Sequence, residues 1–497
     1  MNSAAPRAGA LLAIAVGLSL LAATTLGGCT SAANTGTGTR AQTKGTQGAG
    51  SHSPSRSGST AAASGSSAPG AQTAWTTYGG SFARTSVDAG DANVTGSPVA
   101  AWTSRAPDGA VYGEPLVYRG GAFVATEDDT VYGFSATDGS QLWSPDHLAT
   151  AAPAGALPCG DITPTVGVTS TMVIDPSTGV LFASAETYFG GAVGHFLYAI
   201  DSSTGKVLWG RDIDQSWDAP AQLQRAGLAL SGGNVLVGFG GNAGDCGDYN
   251  GWVLGVPESG KGAILHYRVP TAEQGAIWAP AGITVDSSGD IFLATGNGSA
   301  LPGQSFDHGD SVIELSPQLQ ELQYFAPTSW AQDNAKDLDL GSTSPVLLGD
   351  GQLFVVGKEA TAYLLNAASL GGIGGALSSL EVCSSIGASS YLAPSVYVVC
   401  NSQGRIDQVV SGTGNSLHLG WSWTSPTGAA SSPTIAGGVL WTVDQEASTL
   451  YDVDLSSGTT RFSVPLHTGA LAHFVAPSAA EGLLVVAGTG GVEAFRL

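Results

Sequence analysis

From about residue 120 onward the chain repeats one hydrophobic pattern. A turn residue, usually Gly, precedes a short and mostly apolar run. The copies start at Gly121, Gly179, Gly233, Gly289, Gly351, Pro394, Gly438 and Gly482, at intervals of 43 to 62 residues. Runs such as Ala122-Phe123-Val124 and Leu353-Phe354-Val355-Val356 lack polar alternation, so each reads as a strand buried on both faces. A second strand follows most copies and ends in an aromatic residue. In Ala199–Trp209 the marks are Asp201, Gly205 and Trp209; Asp454, Gly458 and Phe462 repeat the spacing, as do Ser135, Gly139 and Trp143. Asp suits the cap of a tight hairpin turn and Gly its positive φ. The aromatic is expected to pack between neighbouring sheets.

Eight such units predict an all-β fold, an eight-bladed propeller of four-stranded antiparallel blades over residues 74–497. The last copy ends at Val492-Glu493-Ala494-Phe495-Arg496-Leu497, with no room for a fourth strand. Pro98-Val99-Ala100-Ala101-Trp102 stands alone before the first copy and carries the expected aromatic. We expect it to pair with the last strand and close the final blade, which removes an open sheet edge.

Residues 1–73 follow a different pattern. Met1–Arg7 carries a positive charge, residues 8–26 are apolar, and Leu26-Gly27-Gly28-Cys29 follows. This has the form of a secretory signal over residues 1–28. Its end resembles the lipobox of bacterial lipoproteins, which implies lipidation of Cys29, export and a membrane lipid anchor. Residues 29–73 then form a Ser/Gly/Thr linker, a flexible chain spanning roughly 35–40 Å.

Composition sharpens this division. The chain has 497 residues, 17 Lys+Arg and 39 Asp+Glu, for a net charge of −22. Four of the bases and none of the acids precede residue 74, so the propeller carries −26. Such a surface is a poor platform for nucleic acid. Gly reaches 72 residues without a Gly-X-Y period, which excludes collagen and fits many turns. There is no P-loop and no Gly-x-Ser-x-Gly elbow, and the eight His form no recognisable triad. Asp245/Asp248 and Asp307/Asp310 offer oxygen donors, but without EF-hand spacing they read as solvated loops. Beyond Cys29 four Cys remain, and an exported chain favours disulfides. Cys383 and Cys400 are close in sequence, while Cys159 and Cys246 both sit in polar Gly-rich loops. We expect Cys159–Cys246 and Cys383–Cys400.

The string Ala199–Trp209 resembles the tryptophan-docking motif of quinoprotein propellers, the family of the alcohol dehydrogenases that use pyrroloquinoline quinone (PQQ). The resemblance covers most of residues 75–497 and implies eight blades. Its non-catalytic members include the propeller lipoprotein of the outer-membrane assembly machinery, a scaffold. In the enzymes a Glu and an Asn hold Ca²⁺ beside the quinone. Ala185-Glu186 with His195-Phe196-Leu197-Tyr198 resembles the segment bearing the Glu, and Thr295-Gly296-Asn297 the one bearing the Asn. Lys358 lies where the family sets a cation against the quinone, and Trp278 is positioned to stack on it. The resemblance therefore implies Glu186 and Asn297 as metal ligands and Lys358 and Trp278 as cofactor contacts. Asp333 or Asp337 would serve as base.

The sequence also departs from the enzymes. They carry two adjacent Cys over the quinone and a Pro-His-Asp at the base; this chain has neither. An anionic quinone is also disfavoured by a strongly acidic domain. The expected function is a monomeric, non-catalytic binding or scaffold propeller at the cell envelope, with no cofactor. A protein or small molecule would meet it at the propeller face or channel. The alternative is a Ca²⁺/PQQ-dependent alcohol or sugar dehydrogenase.

Overall fold

The computed structural model describes residues 74–497 except 89, 91 and 92. The signal segment, Cys29 and the linker lie outside the described residues. Eight sheets form the blades. Blade 2 shows the unit: Val173–Asp175, Val180–Phe189, Ala192–Asp201 and Val207–Asp212 pair antiparallel in chain order. The apolar runs read from the sequence each become the second strand of a blade, from Gly121–Ala125 through Ser395–Cys400 to Leu483–Gly488. These strands are buried on both faces, which is why they carry no alternation. The only α-helix among the described residues is Trp330–Asn334, and no helix there is long and apolar enough to cross a membrane.

The repeat motif does its work between blades. Asp201 Oδ1 accepts the backbone N–H groups of Ser203 and Thr204 at 2.9 and 3.1 Å, and Gly205 takes φ +72°. The aromatic that ends one blade then lies on the turn glycine of the next. A Cβ at Gly260 would meet the Trp209 indole at 2.7 Å, and one at Gly458 would meet Trp421 at 2.5 Å. Only a bare glycine accepts the ring so closely. Trp421 Nε1 also donates to Leu455 O at 2.9 Å.

Ring closure repeats this contact. Val99–Thr103 pairs antiparallel with Gly491–Arg496 and supplies the outer strand of blade 8. Trp102 then docks on blade 1: a Cβ at Gly139 would lie 2.6 Å from its ring, and its Nε1 donates to Ala136 O at 2.8 Å. The isolated strand seen in the sequence thus closes both the last blade and the ring. Both expected disulfides are present, Cys159–Cys246 and Cys383–Cys400.

One element carries no repeat signal. The first strands of neighbouring blades lie side by side around the axis, and residues 74–88 run inside them. Ala74–Trp75 pairs with Leu116–Tyr118 of blade 1, and Val87–Asp88 with Thr434–Ala436 of blade 7. Between them the carbonyls of Thr76, Phe82, Ala83 and Thr85 accept N–H groups of Ile174, Val285, Leu347 and Tyr391, in blades 2, 4, 5 and 6. Thr77 Oγ1 donates to Leu228 O at the entry to blade 3. Arg84 is buried at the middle of this segment. The channel considered as a docking place is therefore filled along this stretch by the chain itself.

Candidate functional site

The second strands of blades 3, 4 and 5 deliver their following loops to one cavity of about 290 Å³. Gly241–Asp245 follows the second strand of blade 3, Asn297 that of blade 4 and Lys358 that of blade 5. Trp278 enters from the connection between blades 3 and 4, and Asp337 and Asp339 from the connection between blades 4 and 5. Five residues singled out in the sequence, Asp245, Trp278, Asn297, Asp337 and Lys358, thus line one cavity.

All but Asp245 are tied into a closed network. Lys358 Nζ lies 2.9 Å from Asp337 Oδ1 and 2.5 Å from Asp339 Oδ2. Asn297 donates its side-chain amide to Asp337 Oδ1 at 2.9 Å and its backbone N–H to Asp339 Oδ1 at 2.8 Å. Burial pulls the Lys358 ammonium down, but the Asp339 and Asp337 carboxylates outweigh it and hold it charged. The ammonium also sits 5.5 Å from the centroid of the Trp278 ring. A cation therefore already bridges the two carboxylates beside Asn297 and covers one face of Trp278.

The other sequence-derived residues go elsewhere. Glu186 does not line the cavity. It is buried with its Oε2 3.8 Å from His195 Nε2, and neither carboxylate oxygen accepts a hydrogen bond. His195 Nδ1 meets Asp214 Oδ1 at 2.8 Å. Burial lowers the imidazole pKa, yet Asp214 and Glu186 outweigh it and push it up to about 9. Asp333 sits on Trp330–Asn334, buried and away from the lining. Asp307 accepts Ala300 N at 2.8 Å, whereas Asp245, in the lining already described, accepts the Tyr249 hydroxyl at 2.5 Å. Asp310 differs from the solvated reading: it is buried and accepts Leu340 N at 2.9 Å. The Cys159–Cys246 bridge stands at the rim, since a Cβ on the lining residue Gly244 would lie 3.4 Å from Cys159 Sγ.

The lining fits Ca²⁺ and quinone poorly. Asn297 Oδ1 is a buried oxygen with no hydrogen-bond partner, as a metal ligand would be. Its expected co-ligand Glu186 belongs to the His195 pocket, and Lys358 occupies Asp337 and Asp339, the two carboxylates bonded to Asn297. Among the described residues, the one close trio of His, Cys, Asp or Glu donors is Cys383, Cys400 and Asp407, and both thiols there are spent in the disulfide.

Sequence reasoning missed Asp339, Tyr249, Arg225 and Phe474, all in the lining. Asp339 stands two residues after Asp337, which the resemblance had offered as a base. The others sit in connections without repeat, and nothing in their spacing marked them.

Residues 92–216 match the family model described as outer membrane protein assembly factor BamB. No curated protein matches the chain. The quinohemoprotein alcohol dehydrogenase of Comamonas testosteroni aligns with a TM-score of 0.64 at 14% identity, over 85% of this chain and 80% of that one. A europium-containing methanol dehydrogenase gives 0.63 at 14%, over 84% and 90%. BamB of Moraxella catarrhalis gives 0.53 at 14%, over 81% and 98%. Identities this low speak for the fold and leave the chemistry to the site. With the repeat, the docked tryptophans and the ring closure, they show that this chain folds as an eight-bladed β-propeller.

Proposed function

We propose that the chain is an exported, lipid-anchored propeller that binds a partner or ligand at the cell envelope without catalysing a reaction. Cys29 would carry the lipid, the linker would hold the propeller off the membrane, and the cavity face would receive what binds. The observation supporting this reading is the state of Lys358. Its ammonium pairs with both Asp337 and Asp339 and lies over Trp278. The same residues that would build a metal and quinone site are thereby engaged with one another. The BamB match over residues 92–216 also supports a binding role.

The dehydrogenase reading keeps one observation, the unpartnered Asn297 Oδ1. Reconstitution separates the two. The full chain is incubated with PQQ and Ca²⁺, freed of excess, and followed by quinone absorbance and dye-linked alcohol or sugar oxidation. We expect neither retained quinone nor turnover. Retained quinone with turnover, both lost in Asn297→Ala, would overturn the proposal.

A further inference from the structure

We propose that Arg225 makes the central cavity a binding site for a small aromatic carboxylate. This rests on the non-catalytic reading above and names its class of ligand.

Arg225 lies in the connection after Gln222–Leu223 and lines the cavity. Only 9% of its surface is exposed. Among the described residues no acceptor takes a hydrogen bond from its guanidinium, no carboxylate lies within ion-pair distance, and its Nε is buried without a partner. Asp161 and Glu127 act on it only through their fields. Burial pushes the Glu127 carboxyl up to about 8, more than its bonds from Gly167 and Thr169 recover, so it is a poor counter-charge at neutral pH. A buried guanidinium left alone is strongly unfavourable. Its five donors form a planar fork suited to a carboxylate.

The surroundings narrow the class. The guanidinium carbon lies 4.5 Å from the Phe474 ring centroid and 5.8 Å from that of Tyr112. Phe474 holds φ +65°, an uncommon backbone for a bulky residue and of the kind retained at ligand clamps. Tyr249 and Trp278 add flat walls. A volume of about 290 Å³ falls at the low end of small-molecule sites, roughly 300–1,000 Å³, which suits one or two rings. Asp161, Asp245 and Asp337 also line the cavity, so a singly charged anion is favoured over a dianion. Lys358 is already neutralised, which leaves Arg225 as the cation available to it.

Titration calorimetry on the full chain tests this with benzoate and indole-3-carboxylate. Indole-3-carboxamide and inorganic phosphate are the comparisons. We expect saturable binding of a carboxylate, weakened about 10-fold or more in the carboxamide and in Arg225→Met, with part retained in Arg225→Lys. Arg225→Met should melt at or above the wild type, because an uncompensated cation is gone. The proposal fails if neither carboxylate saturates up to about 10 mM, if the carboxamide binds equally, or if phosphate binds in preference. It fails too if Arg225→Met keeps the affinity or loses much stability, which would mean that the guanidinium serves the fold. These results leave the non-catalytic reading intact, whereas PQQ turnover would end that reading by a separate measurement.

Discussion

Arg84 and Arg225 are both buried, both near the propeller axis, and opposite in their bonding. Every donor of Arg84 is used: Nε and Nη2 reach Ile283 O at 3.0 and 2.6 Å, Nη2 also Leu228 O at 3.2 Å, and Nη1 Thr77 Oγ1 and Tyr78 O at 2.7 and 2.9 Å. Burial pulls its pKa down to about 9, with Glu114 and Tyr78 opposing. Arg225 has none of these bonds. One arginine fastens the axial segment to blades 3 and 4 through main-chain carbonyls. The other keeps its donors for something outside the chain. Burial alone does not tell a structural cation from a binding one; the acceptor inventory does.

The largest test removes the fastened region. Deleting residues 74–105 takes away the axial segment, Arg84 and the strand that closes blade 8. We expect a sharp loss of melting temperature by circular dichroism, extending to loss of cooperative unfolding. An unchanged melting curve would break the ring closure and the structural half of the comparison. Next in size is Arg84→Met, which strands the carbonyls of Ile283, Leu228 and Tyr78 in the interior. We expect a cost of about 3–5 kcal/mol in denaturant unfolding. Equal losses at positions 84 and 225 would erase the distinction between them.

The two regions were unequally legible in the sequence. The blades could be read because each needs a doubly buried strand and a turn glycine under a neighbour's aromatic, and both leave a pattern. Trp102 could be read as the closing element for the same reason. The disulfides followed from loop chemistry and closeness in sequence. The axial segment left no pattern, because its bonds are mostly main-chain carbonyls to main-chain N–H groups and almost any side chain supplies those. At the cavity, the resemblance located Trp278, Asn297 and Lys358, but grouped Glu186 with them. In the fold Glu186 faces His195, whose presence nine residues on, across the hairpin Val180–Phe189 and Ala192–Asp201, was the available signal. Arg225 could not be found this way, since its distinguishing property is a missing partner.

A smaller effect concerns pH. Burial pushes Glu114, Glu127 and Asp129 each up to about 8. In the unfolded chain these groups titrate near 4, so between about pH 4.5 and 8 the native state binds more protons. Stability therefore falls as pH rises through that window. His195 acts in the same direction: its stabilisation is complete below the unfolded value near 6.5 and is lost as pH rises through about 9. We expect a higher melting temperature at pH 5 than at pH 8, and a shallower slope in Glu114→Gln. A melting temperature that climbs from pH 5 to 8 would contradict these burial assignments.

The smallest effects lie at Lys358, which stands between the two arginines: buried in part, paired, and facing the cavity. Its two partners differ in exposure, with the Asp337 side chain 70% exposed and that of Asp339 8%. Asp339→Asn removes a buried charge that Lys358 and the Asn297 backbone N–H both hold, and should cost about 1–3 kcal/mol. Asp337→Asn acts where water screens the pair, and should change stability by no more than about 0.5 kcal/mol. Denaturant titrations of both variants and their double mutant measure the split. If Asp337→Asn proved the costlier, the exposed carboxylate would be the one neutralising Lys358. Asp339 would then be left without its cation, and the lining would offer a buried oxygen donor beside Asn297, the arrangement that a metal needs and that the network as described withholds.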